Sequence, residues 1–161
     1  MHSAQMNIPN LVLRLTDAIM FDIYMKKREL SDEAIVSMLG NIKASFLHEA
    51  GEDSSLRLEV ERVVAGHKFK LLSARNATLD EVDKLYREVL KLGFSNLLEE
   101  GTVGIFYAQY CIGHEKFQLA RVVLEELLRK AGDASLGPPR VRKDLAKDAK
   151  RLLSELHDRD G

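Results

Sequence analysis

Cys111 and His114 stand three residues apart, a thiol and an imidazole of the kind that bind zinc. Two ligands do not close a site. Cys111 is the single cysteine, and His2, His48, His67 and His157 form no ligand-spaced pair with one another. His48-Glu49 matches half of a zinc-protease motif, but Glu52 occupies the place of the second histidine. His67 follows Val60, Val63 and Val64 at helical spacing, where a hydrogen-bonded core histidine is expected in preference to a general base. The glycines are scattered singly, so no loop can cradle a phosphate. These patterns call for no enzyme activity, no metal and no cofactor.

The elements that position these residues are helices. Ala, Leu, Glu, Lys and Arg dominate, and the three prolines stand at plausible boundaries. At 161 residues, with 45% apolar and 30% charged, the chain can bury a core without metals or disulfides, and one all-helical domain over 1–161 is expected. A net charge of −1 gives no bulk attraction to nucleic acid or acidic membranes. A lone cysteine, no basic leader ahead of an apolar block, and no run approaching roughly 18 uncharged apolar residues point to a cytoplasmic protein with no membrane span.

About seven helices are predicted. The first starts near Pro9 and carries Ile8, Leu11, Val12, Leu15, Ile19 and Ile23 on one side, ending at the polar run Lys26–Glu29. Ser31 caps the second, which carries Ile35, Met38, Leu39, Ile42 and Phe46 and closes at Gly51. Asp53 starts the third, which ends near Arg75-Asn76. Thr78 and Glu81 match a capping box for the fourth, Glu81–Gly93, with Phe94–Glu100 either its continuation or a short turn. Thr102–Ile112 and Glu115–Ala131 are the fifth and sixth, antiparallel across Gly113-His114. A Pro/Gly linker, 132–139, precedes a last helix, 140–158. Gly40, Gly66 and Gly104 lie inside helices, where each costs about 1 kcal/mol relative to alanine unless close packing offsets it, so they predict tight helix crossings.

Gly104–Ala131 resembles a tetratricopeptide repeat. Ala120 matches the small residue of that family's second helix. Leu124, Leu127 and Leu128 match the large apolar sites after it, Ala108 falls near the small site of the first helix, and Tyr110 or Cys111 near its aromatic site. VDKLYREVLKLG and VVLEELLRKAG read as equivalent second helices about 38 residues apart, against the family's usual 34. Two departures stand out: Gly113 lies seven residues before Ala120, about two too many, and Gly132 replaces the terminal proline. The fold class is therefore all-α, either repeat-like antiparallel hairpins or an irregular helical bundle.

The resemblance implies a concave surface, lined by first helices, that takes up a peptide or helix of another protein, as in co-chaperones and secretion chaperones. Tyr107, Gln109, Tyr110 and Lys116 are the candidate partner-binding residues, since Ile105, Phe106, Tyr107 and Tyr110 span more than one core-facing stripe. A core role for these aromatics competes with that reading. The last helix sets Leu145, Ala149, Leu152, Leu153 and Leu156 on one face and Arg142, Lys143, Lys147, Lys150 and Arg151 largely on the other. Asp144 and Asp148 interrupt the basic face and no aromatics accompany it, which favours a docked capping helix over a nucleic-acid site. An adaptor, chaperone or inhibitor that binds another protein is the expected function, with a homo-oligomeric bundle as the alternative.

Overall fold

The computed structural model describes residues 8–75 and 77–160, with the side chain of Asp160 excepted; His2 and Asn76 lie outside the described residues. Those residues form seven α-helices and no strand. They are α1 (Ile8–Asp22), α2 (Asp32–Ala50), α3 (Ser54–Ser73), α4 (Leu79–Leu92), α5 (Leu97–Gly113), α6 (Phe117–Ala131) and α7 (Pro139–Asp160), with a 3₁₀ turn at Tyr24–Glu29 after α1. The chain divides into two compact units. The first holds α1–α3 and Arg87–Gly93, the second Ala77–Tyr86 and everything from Phe94 onward.

Local chemistry sets most helix ends in the first unit. Ser31 Oγ accepts from the Ala34 N–H at 3.0 Å, and Asp53 Oδ1 accepts from Ser55 and Leu56 at 3.0 and 3.1 Å, satisfying N–H groups that a helix start leaves free. Gly51 ends α2 with φ of 63°, a conformation that a Cβ penalises. The core joins Leu11, Leu15 and Ile19 of α1 to Ile35 and Leu39 of α2 and Val60, Val63 and Val64 of α3. Arg75 ties the end of α3 back to the 3₁₀ turn and the start of α2, donating to Asp32 Oδ1 at 2.6 Å and to the carbonyls of Lys27 and Leu30 at 2.8 and 2.5 Å. Arg62 donates to the Leu92 carbonyl at 2.9 Å, covering the C-terminal end of α4, and to the buried Glu59 at 3.3 Å. Gly93, with φ of 79°, then stops α4.

In the second unit, Thr78 Oγ1 accepts from the Glu81 N–H at 3.2 Å, the forward half of the expected capping box. α5 begins at Leu97, five residues before the expected Thr102, because Asn96 caps it: its Oδ1 accepts from the Glu99 N–H at 3.0 Å, with Glu99 and Glu100 in the first turn. α5 ends in a Schellman arrangement. The Lys116 N–H reaches the Cys111 carbonyl at 2.8 Å and the Glu115 N–H reaches Ile112 at 3.0 Å, with Glu115 at φ of 60°. The left-handed position is thus Glu115, two residues past Gly113 and five before Ala120.

α7 starts on Pro139, whose missing N–H is not needed in a first turn. It packs on α5 and α6 through Leu145, Ala149, Leu152 and Leu156, each buried leucine contributing about 1.5–3 kcal/mol. Arg142 fastens the preceding loop by donating to the carbonyls of Gly137 and Ala131 at 3.0 and 3.4 Å. Of the three interior glycines, only Gly104 marks a tight crossing, since a Cβ there would stand 2.7 Å from Leu127 Cδ1. Gly40 and Gly66 have nothing within 4 Å, because neither faces a neighbouring helix closely enough.

Candidate functional site

The α5 helix sorts its aromatic stretch by periodicity. Val103, Gly104, Tyr107 and Ala108 turn inward, while Phe106 and Gln109 turn outward. Tyr107 lies flat on Tyr86, ring centroids 3.9 Å apart and planes within 6°, and its hydroxyl donates to Asp83 Oδ1 at 2.5 Å. Burial and then the Asp83 bond raise the Tyr107 pKa, so the phenol stays protonated as a donor. Burial also pushes the Tyr86 hydroxyl up to about 12. Tyr110 donates to the Ala77 carbonyl and stacks on His114 at 4.3 Å. Both tyrosines hold the Ala77–Tyr86 segment against α5.

Gln109 and Lys116 are exposed. Lys116 precedes α6 without a side-chain capping bond. Gln109, about 200° round the helix from Tyr107, lines a different surface. The four candidate residues therefore do not share one face: Tyr107 packs against α4, Tyr110 bonds the segment just before it, Gln109 faces a groove, and Lys116 stands at the head of α6.

That groove, of about 240 Å³, runs between α5 and α7. Leu98, Thr102, Ile105, Phe106 and Gln109 border it from α5, and Val141, Asp144, Leu145 and Asp148 from α7. Both sets follow three- and four-residue steps. Gly101 forms part of its floor and lets α7 approach, since a Cβ there would meet Leu145 Cδ1 at 2.9 Å. Leu98 is 60% and Phe106 39% exposed, a large apolar area left to water. Among the described residues, no hydrogen bond or ion pair engages the Asp144 carboxylate, and Asp148 lies 4.0 Å from Arg151. Sequence reasoning took Asp144 and Asp148 only as interruptions of a basic face. Their spacing with Val141 and Leu145 was the signal that they border an apolar stripe.

The other chemical residues are each buried or bonded within their own unit. Cys111 is buried, and burial outweighs the opposing effect of the Tyr107 hydroxyl beside it to push the thiol up to about 11, away from a reactive thiolate. His67 Nδ1 and Tyr24 Oη are hydrogen-bonded at 2.9 Å in the first unit. Burial, then Lys70, lowers His67 to about 4, so it is neutral at pH 7. No group of three His, Cys, Asp or Glu among the described residues is placed to hold a metal ion, and no described helix is long and apolar enough to cross a membrane. Neither a protein-family model, nor a curated protein, nor a solved structure matches this chain.

Proposed function

We propose that this chain is a non-catalytic, cytoplasmic protein–protein interaction module, of adaptor, chaperone or inhibitor type, that holds a helical segment of a partner in the α5–α7 groove. The observation that carries this reading is the exposed apolar edge, Leu98 and Phe106, facing carboxylates at Asp144 and Asp148. An amphipathic helix fits such a groove by laying apolar residues at i, i+3 or i+4, and i+7 along Leu98, Ile105 and Phe106. Lys or Arg on its flank would meet Asp144 and Asp148, one turn apart, fixing orientation and speeding encounter more than adding affinity. The raised Cys111 and the bonded, neutral His67 support a role without nucleophilic or acid–base chemistry.

Capture of partners by the purified chain, followed by affinity measurement, tests the groove. Phe106→Ala and Leu98→Ala each weaken the captured partner about tenfold or more, Asp144→Lys slows association, and Gln109→Ala has a smaller effect. Retention of every partner by a Phe106→Glu, Asp144→Lys variant rules the groove out.

Self-association is the second reading, favoured by α1 and the turn after it. Leu13 and Phe21 are 61% and 64% exposed on the side of α1 away from the buried Leu11, Leu15 and Ile19, and Met25 in the turn is 72% exposed. Light scattering that reports a monomer at every concentration excludes it.

A further inference from the structure

Val36, Leu39, Gly40 and Lys43 share one face of α2, and Glu61, Val64, Ala65 and Lys68 share one face of α3, each set at i, i+3, i+4 and i+7. Within the first unit the two faces line a trough of about 590 Å³, bounded on a third side by Glu88, Lys91 and Leu92. That volume lies in the range of small-molecule pockets. The three-residue link between α2 and α3 makes them antiparallel, and the Lys43–Glu61 ion pair, at 2.8 Å, sets their register. Counting from that pair, Gly40 falls opposite Val64, Leu39 opposite Ala65, and Val36 opposite Lys68.

The trough therefore has an apolar floor, one end closed by an internal ion pair, and another end whose cation is unanswered. Among the described residues, no hydrogen bond or ion pair engages the side chain of Lys68, Lys91 or Glu88. Three lysines against two glutamates leave one net positive charge on the lining. Gly40 weakens α2 relative to alanine, yet no neighbouring atom requires it, since nothing stands within 4 Å of its missing Cβ. What its absent side chain provides is open space above Leu39 and Val64.

We propose that this trough binds a small organic anion with an apolar body about 10 Å long, such as a medium-chain carboxylate. The body lies over Leu39, Gly40, Val64 and Ala65, and the anionic head meets Lys68, at the end away from the Lys43–Glu61 pair. A cationic head on the same body would face the unpaired Lys68 on a lining with one net positive charge.

Calorimetric titration of the full chain with decanoate below its micelle concentration reads this directly, with decanol and decyltrimethylammonium as probes of equal chain length. Decanoate binds, and both controls bind about tenfold more weakly or not at all. Lys68→Gln weakens decanoate about fivefold and leaves decanol unchanged. Gly40→Phe fills the trough and abolishes decanoate binding while the helical circular dichroism and melting temperature are kept; Gly40→Leu serves the same purpose if the larger ring lowers the melt. Absence of decanoate binding, equal binding of all three probes, or decanoate binding indifferent to both Gly40 variants overturns the proposal.

Discussion

In the second unit the mid-helix glycines are filled from outside: Leu127 reaches into the space of Gly104 and Leu145 into that of Gly101. In the first unit Gly40 sits in the same kind of helix interior with nothing near it. The second unit uses the missing side chain to bring helices together, and the first leaves it as a gap. A parallel contrast holds for titratable groups. The first unit encloses an imidazole that acid can charge, beside the raised Tyr24 phenol, whereas the second buries a phenol and a thiol whose protonated forms persist to alkaline pH. A mid-helix glycine thus has opposite consequences in the two units, depending on what the neighbouring helix brings to it.

The sharpest way to break this contrast is Gly104→Val, which forces Leu127 out of its place and lowers stability by about 2–3 kcal/mol in urea denaturation. A loss below 0.5 kcal/mol, on the order of a surface change, would mean that α5 and α6 do not cross tightly there. Acid comes next. Because His67 has its pKa lowered in the folded state from 6.5 to about 4, the unfolded chain takes up the proton more readily. Its contribution is whole above about pH 6.5 and is lost as pH falls through 4, roughly 3 kcal/mol in all. Histidine NMR titration locates that pKa, and His67→Gln should flatten the acid limb of stability. An ordinary His67 pKa by NMR would sink this assignment.

Tyr107→Phe removes the donor to Asp83 and leaves a half-buried carboxylate short of a partner, at about 1–2 kcal/mol. Thermal denaturation at pH 7 measures it, with Gln109→Ala, on the exposed side of the same helix, as the near-neutral control. The smallest effect has the opposite sign. Gly40→Ala adds a methyl group to open space in a helix interior and should raise stability by about 0.5–1 kcal/mol. A loss of stability there would remove the distinction between packed and open glycines.

How far the fold was legible depended on the range of the interaction. Ser31, Asp53 and Thr78 announced their helices because a cap bonds N–H groups only two or three residues away. Asn96 does the same for α5, but the ambiguous stretch Phe94–Glu100 hid it, and the helix was expected five residues late. The candidate contact residues were harder to read. Tyr107 and Gln109 are neighbours in an aromatic-rich helix, yet one is drawn inward by Asp83 and Tyr86 and the other is left at the groove. Nothing within one turn of either residue distinguishes them.

From sequence alone, the all-helical class, most of the helix boundaries and the apolar stripes were determined, because backbone hydrogen bonds and caps act within four residues and periodicity records one face at a time. The tertiary structure decided which stripe is covered, which glycine is filled, and where an apolar edge meets carboxylates or a trough ends in an unpaired lysine. Those outcomes rest on pairs such as Gly104 with Leu127 and Lys43 with Glu61, separated by roughly 20 residues along the chain. Helical pattern specifies that a face is apolar, and only the neighbouring helix determines whether it is buried or left open.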